Sequence, residues 1–383
     1  MKRKTTLLLS STVTIAALFS FNSKVQAAAD PTIKATNYNM IVKLDTRKNQ
    51  LTEKVTMHVV NNGNEPVRNL LVRNIASGVL KYDHKHFEAT RNATTSVKNI
   101  SSDGQKLSYT TGKDKSNLFV NKSLNTGEST DLTVNVVTGV PKRQDRFGYQ
   151  NINGDKVYTL SFCFPYLSDY RNGKWNYHPY YDAGENRNSA VSNFHVSFFA
   201  PKSYKVAASG KNTTKNGKTT IVANNMREVG IAASNKFKVD HAYANGVYDL
   251  TYTKSKAYCA KLMHSKFYTR KNVKRANKIL KENANQFINK NQKANYINYP
   301  VNNPPKGVDT EDMAYELGMD FPAVLKVAMG ENKFFDALHD YYQTYYLKQA
   351  TTQDFLNIIR KYDNSKKVNN VINKFIDPKY LSE

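Results

Sequence analysis

Through the first two-thirds of the chain, apolar residues recur at every second position; after about Thr251 they recur at every third or fourth. Tyr38, Met40, Val42 and Leu44 alternate with polar residues, Asp45–Gln50 is polar and turn-like, and Val55, Met57 and Val59 alternate on the return. A period of two places all the apolar side chains of an extended run on one face, so each run predicts a half-buried strand. Leu132–Val136 and Thr219–Ala223 repeat the pattern. The densest aromatic stretch, Tyr158 to Gly210, holds two strand-like runs, Tyr158–Phe164 and Phe194–Phe199. In the second, Phe194, Val196 and Phe198 share one face and His195 and Ser197 the other. Between them Asn172-Gly173 predicts a tight turn, because both residues tolerate positive φ. So many rings in one stretch predict the centre of a β domain. Residues 36–250 therefore read as short strands with polar turns, the pattern of an antiparallel sandwich or saddle.

In the last third the period is helical. Val273, Ala276, Leu280, Ala284 and Phe287 mark an amphipathic helix on a Lys/Asn-rich segment. Residues 289–309 are irregular, with Pro300, Pro304, Pro305 and Gly307. From Thr310 onward the chain reads as helices again. Phe334, Phe335, Leu338, Tyr341, Tyr342 and Tyr345 predict one apolar stripe, and Thr351 predicts a helix cap with Asp354 in the first turn. The expected fold class is α+β: residues 28–250 an antiparallel β domain, residues 251–383 a helical region.

Composition changes the picture in charge alone. The chain of 383 residues carries a net charge of +25. Residues 1–27 read as a secretory signal: Lys2-Arg3-Lys4, a short apolar core from Leu7 to Phe19, and the small-residue cleavage site Val25-Gln26-Ala27. Removing its four cations leaves 25 − 4 = +21. A charge of that size favours polyanionic surroundings, and export disfavours nucleic acid in favour of cell-wall polymer or a membrane surface. No later segment is apolar and long enough to span a bilayer, so a secreted, extracellular protein is expected, associated with the cell wall by charge. Twenty-five Tyr among 56 Lys and Arg could form stacking platforms on a cationic face, but strand packing and a solvated surface account for most of them. Cys163 and Cys259 are the only cysteines; export permits them to pair, and the spacing does not require it.

Several motifs, taken in order, resemble one family. They are Asn61-Asn62-Gly63 with Pro66-Val67 and Asn69-Leu70; Trp175-Asn176 with Gly184-Glu185-Asn186; the strand Phe194–Phe198 with Ala200-Pro201-Lys202 and Val206–Gly210; and Arg227-Glu228 through Ser234 and Phe237. This set is similar to the N-terminal β domain of the membrane alanyl aminopeptidases, which are zinc metallopeptidases of the gluzincin type. Tyr315-Glu316-Leu317-Gly318, then Gly330-Glu331, then Ala350-Thr351-Thr352-Gln353-Asp354-Phe355 resembles the second half of that family's catalytic domain. The resemblance implies a zinc cofactor in active relatives. It also gives Tyr315 the position of the tyrosine that hydrogen-bonds the oxyanion, vestigial in this chain. Two departures stand out: Leu317 replaces the family lysine, and Pro322 is expected to interrupt the helix that follows.

The family's metal site has no counterpart. It needs His-Glu-x-x-His on one helix, two imidazoles on one face with a general base beside them. The eight histidines are His58, His84, His86, His178, His195, His241, His264 and His339, and no two lie four apart. The Gly-x-Met-Glu-Asn segment that grips a substrate amine is also missing; Ala328–Asn332 looks like a scrambled copy but falls in the Gly-Glu element. An internal loss between Phe287 and Tyr315 accounts for both gaps, so residues 251–383 read as a truncated remnant of the catalytic domain. The loss would leave Phe334, Tyr341 and Tyr345 exposed or at a partner interface. The residues left as metal candidates are His84, His86 and Glu88, whose spacing on an extended segment puts both imidazoles on one side. His178 and Glu185 are candidate polar contacts in the aromatic stretch, and His339 lies at the polar edge of its helix.

Three functional readings follow. The first is a non-catalytic, secreted relative of the aminopeptidases, without a cofactor, that binds or scaffolds anionic cell-wall polymer or peptides. The second is an active zinc metallo-aminopeptidase whose metal site is unrecognised or completed by a partner. The third is a relic with no selected activity.

Overall fold

A computed structural model describes residues 31–381, apart from 144, 153, 183–188, 245–246, 254–277, 279–281, 283–295, 302 and 311. Cys259, Glu185 and most of the helix expected around Val273–Phe287 lie outside the described residues, as do residues 1–27, the expected signal.

The alternating runs become strands β1 (Ile33–Asp45) and β2 (Gln50–Asn61), joined by the polar turn. Asp45 caps that turn by accepting hydrogen bonds from the amides of Arg47 (2.9 Å) and Lys48 (3.1 Å), which fixes the register of the hairpin. Then come β3 (Leu70–Arg73), helix α1 (Ile75–His86), β4 (Thr95–Ser102), β5 (Gln105–Lys106), β6 (Tyr109–Thr111), β7 (Asn117–Val120) and β8 (Ser129–Gly139). The aromatic stretch and its approach supply β9 (Phe147–Ile152), β10 (Asp155–Leu160), β11 (Tyr166–Leu167), β12 (Tyr170–Arg171), β13 (Lys174–Trp175) and β14 (Ser192–Phe199). The rest are β15 (Lys205–Ala208), β16 (Lys211–Lys215), β17 (Lys218–Met226), β18 (Ile231–Ser234), β19 (Lys238–Ala244) and β20 (Val247–Thr253).

A ten-stranded sheet runs in the order β16-β17-β14-β1-β2-β8-β4-β5, with the β12–β13 hairpin attached to β1. Two four-stranded sheets, β15-β18-β10-β9 and β11-β3-β7-β6, share one apolar core with it. The inward rows are those the alternation marked: Tyr38, Met40, Val42, Val55, Met57, Val59, Val134, Phe194, Val196 and Phe198 are all buried. The sheet is not wholly antiparallel as expected, because β1 and β14 pair in parallel. Parallel neighbours need a long crossover, and here the chain between β2 and β14 builds α1, the sheet β11-β3-β7-β6 and the β9–β10 pair of the other small sheet before returning; β15 and β18 follow β14. The turn at Asn172 (φ 51°) and Gly173 (φ 74°) joins β12 to β13, as the Asn-Gly signal implied. The aromatic stretch is central in its two strand-like runs, where Phe194, Val196 and Phe198 are buried too, but not in its turn-rich middle. Tyr158, Leu160, Cys163, Phe164, Tyr166 and Leu167 are buried, whereas Tyr177 is exposed.

The helical region has its own core. It comprises a wide π-type turn (Asp312–Leu317), α2 (Gly318–Met329), α3 (Glu331–Tyr345), α4 (Thr352–Tyr362) and α5 (Lys366–Phe375). Pro322 does not interrupt α2, contrary to expectation; the helix runs through it. The wide turn directly before α2 moves the backbone away from the α-ladder just where proline lacks a donor. Thr351 and Asp354 form the expected capping box, side chain to backbone in both directions. The stripe expected on α3 divides in two. Phe334 and Ala337 are buried, with Leu338, Tyr341 and Tyr345 packed against them, while Phe335 and Tyr342 face outward. Phe334 is thus not left bare, because it lies in the apolar core that α3 shares with α2, α4 and α5.

Candidate functional site

The metal candidates do not come together. His84 and His86 sit at the end of helix α1, not on a strand. Two residues apart on a helix is about 200° of rotation, so their rings point to opposite sides. His84 bonds through Nε2 to the carbonyl of Ala93 (2.7 Å), and His86 through Nδ1 to that of Tyr82 (2.8 Å). Glu88 lies beyond the helix in a single 3₁₀ turn beside Arg91 at 3.5 Å. A zinc site needs three protein donors converging on one point. These three do not fit one, and among the described residues no group of three His, Cys, Asp or Glu side chains is placed to hold a metal ion.

The other expected residues fall apart from one another. Tyr315 lies in the π-type turn and is 72% exposed. His178 is an anchor: its carbonyl accepts from the buried guanidinium of Arg73 and from Asn117 Nδ2 (2.9 Å). Burial, and then the Arg73 charge, hold its imidazole below the usual histidine range. His339 is exposed on α3.

What the fold does assemble is a buried ionic centre under the aromatic loop. Asp83, on the inner face of α1, is fully buried and bonds to the Arg143 guanidinium. Arg143 also reaches Asp145 (2.7 Å) and Asp182 (3.7 Å), and it lies over the Phe87 ring at 5.1 Å. Tyr180 donates to Asp182 (2.9 Å), and its ring presses on Gly78 of α1, where any side chain would collide with it. Burial pushes the Asp83 carboxyl up to about 6, with Arg143 opposing. Its second oxygen has no partner. Arg143 fills the middle of the cluster, so the three carboxylates tie α1, the loop after β8 and the aromatic loop together rather than present a vacancy.

A separate hydrogen bond joins the β region to the helical region. Gln349, just past α3, donates to Asp169 (3.0 Å) beside the β12–β13 hairpin. Sequence reasoning missed these groups because their partners are far apart in the chain. One local signal was available: Ala76, Val79, Leu80 and Asp83 are spaced three and four apart, which is helical and sets Asp83 on the buried face.

No protein-family model matches the chain, and no curated protein matches it. Solved structures do. An M1 zinc metallopeptidase from Deinococcus radiodurans superimposes with a TM-score of 0.54 at 13% identity, over 93% of this chain and 97% of that one. A two-domain M1 zinc metallopeptidase mutant bound to L-arginine gives 0.55 at 13% identity, with the same coverage. Native leukotriene A4 hydrolase from Saccharomyces cerevisiae gives 0.52 at 12% identity, over 92% of this chain and 68% of that one. The class this defines is one of fold: a β-rich region followed by helices, arranged as in the M1 zinc metallopeptidases. At these identities the likeness concerns the fold.

Proposed function

We propose that this chain is a secreted, non-catalytic member of the membrane alanyl aminopeptidase family, a truncated relative that serves as an extracellular binding or scaffold protein. In this reading residues 1–27 are a signal, residues 28–250 the β domain and residues 251–383 the remnant of the catalytic domain. One observation carries it: no two of the eight histidines lie four apart anywhere in the chain, on a fold whose solved relatives are zinc enzymes. The described candidates support it, since His84, His86 and Glu88 are each engaged elsewhere. Without a metal-activated water and a matched base, most of the rate enhancement for peptide hydrolysis is missing. Tyr315, exposed on its turn, would then stabilise nothing. The net charge supports an anionic cell-wall polymer as partner.

The test is hydrolysis of a panel of aminoacyl-4-nitroanilides by the purified chain, with and without added zinc. The proposal expects no turnover above buffer in either condition. Zinc-dependent turnover that a chelator abolishes, and that Tyr315→Phe lowers at least tenfold, would establish a working aminopeptidase instead.

A further inference from the structure

The outer face of the ten-stranded sheet contains a shallow trough of about 300 Å³ across β2, β1, β14 and β17. Register places its side chains in two rows. Lys54, Ile41, Ser197 and Thr220 stand side by side on the four strands; Thr56, Asn39, His195 and Val222 form the next row. Neighbouring strands lie about 4.8 Å apart, and each row offers polar groups on three of the four strands: Lys54, Ser197 and Thr220 in one, Thr56, Asn39 and His195 in the other. Lys43 and Lys218 extend the cationic character at one end, and both are exposed. On the outward positions from Asn39 to Lys43, Thr52 to Thr56, His195 to Phe199 and Lys218 to Val222 no Asp or Glu is present; Glu53, the one acid within these spans, turns inward and is buried. The carboxylates that border the trough are occupied: Asp45 caps its hairpin turn, and Asp131 pairs with His58 at 2.8 Å. Lys54 has no acidic partner among the described residues, although it projects from the middle strand of a protein with a net charge of +25.

We infer that this trough is a binding site for an extended, phosphodiester-linked polyol polymer lying across the strands. The inference rests on the binding-protein reading above and names where that binding occurs. The chemistry selects the class. Lysines on an acid-free face attract repeated negative charge, and Asn, Ser and Thr side chains on the same rows can donate to or accept from hydroxyls. The only phenyl ring on these outward positions is Phe199, which lies at the edge with Lys218 Nζ 5.9 Å from its centre. Single-stranded nucleic acid is held chiefly by stacking on aromatic platforms, which this trough lacks. An outward Ile41 in the middle of the row gives the polymer's carbon backbone an apolar contact.

The experiment titrates the purified mature chain with poly(glycerol phosphate) by calorimetry at two salt concentrations, with dextran and poly(dT) as comparison polymers. The expected result is salt-sensitive binding of poly(glycerol phosphate), at least tenfold tighter than either comparison. The double variant Lys43→Gln, Lys54→Gln should weaken it at least tenfold. The double variant Lys306→Gln, Lys366→Gln, which removes the same charge from the helical region, should weaken it less than threefold. Asn39→Ala, which leaves charge unchanged, should weaken it about threefold. Unchanged near-ultraviolet circular dichroism establishes that each variant is folded. Equal losses in the two lysine variants would reduce the effect to bulk charge and overturn the site. No binding, or binding of poly(dT) as tight, would overturn it too. A failure here leaves the hydrolysis result untouched, so loss of the site and loss of the non-catalytic reading are told apart.

Discussion

The two regions of this molecule solve burial in opposite ways. The β region encloses ionisable groups: Glu53, Arg73, Asp83 and Asp169 are each at most 1% exposed inside or beside its core. The helical region keeps its interior almost wholly apolar, from Phe321 to Ile376. Its one buried acid among the described residues, Asp354, is spent in a capping box and a bond from Tyr345 (3.2 Å). A charge removed from water is stable only if paired and hydrogen-bonded. The β region should therefore respond to pH and to loss of partners, and the helical region mainly to loss of packing and caps.

Breaking a buried pair gives the largest expected effect. Arg143→Ala leaves Asp83 buried without its counter-charge and should cost roughly 3–5 kcal/mol, read as a lower urea midpoint. The double variant Arg143→Ala, Asp83→Asn should recover part of that loss. If Arg143→Ala alone costs under about 1 kcal/mol, the ionic centre does not hold the aromatic loop.

The next effect concerns Glu53, which faces the core between Leu51 and Val55. Burial pushes its carboxyl up to about 8, with only the neighbouring Thr138 side chain acting against it. The folded state keeps this proton up to about 8, whereas the unfolded chain loses it near its ordinary 4.5. Between those values the unfolded state binds fewer protons, so stability falls as pH rises, by roughly 1.4 kcal/mol per unit from this group. Glu53→Gln should flatten that slope and leave the chain more stable at pH 8 than its parent. Urea midpoints from pH 5 to 8 check it; parallel slopes for parent and variant would contradict it.

The smallest effect sharpens the other side of the comparison. Thr351→Ala removes the α4 cap and should cost about 1 kcal/mol, with little dependence on pH in the neutral range. A cost that changes strongly between pH 6 and 8 would mean that the helical region shares the ionic character of the β region.

What could be read in the sequence follows the same division. Strand faces such as Tyr38–Leu44 and Phe194–Phe198 were legible because alternation is a local property. So were the Asn172-Gly173 turn and the Thr351 cap, each set by a few adjacent residues. Helix α1 was missed because it interrupts a long β pattern, and His84 and His86 imitate strand alternation at its end. The Tyr stripe on α3 was half right, since spacing marks apolar residues but not which of two apolar faces meets a neighbour. The ionic centre was illegible, because Arg143 and Asp83 lie 60 residues apart and Arg73 and His178 lie 105 apart. The absent His-Glu-x-x-His was legible, because it is a local spacing rule that the chain fails.

The central claim, a metallopeptidase fold without the metal, is tested most directly by the zinc content of the purified mature protein. Elemental mass spectrometry after dialysis against a weak chelator should find well under one zinc per ten chains. One zinc per chain, retained through dialysis and lost in variants of the chain's histidines, would contradict the account and place a working metal site on this fold.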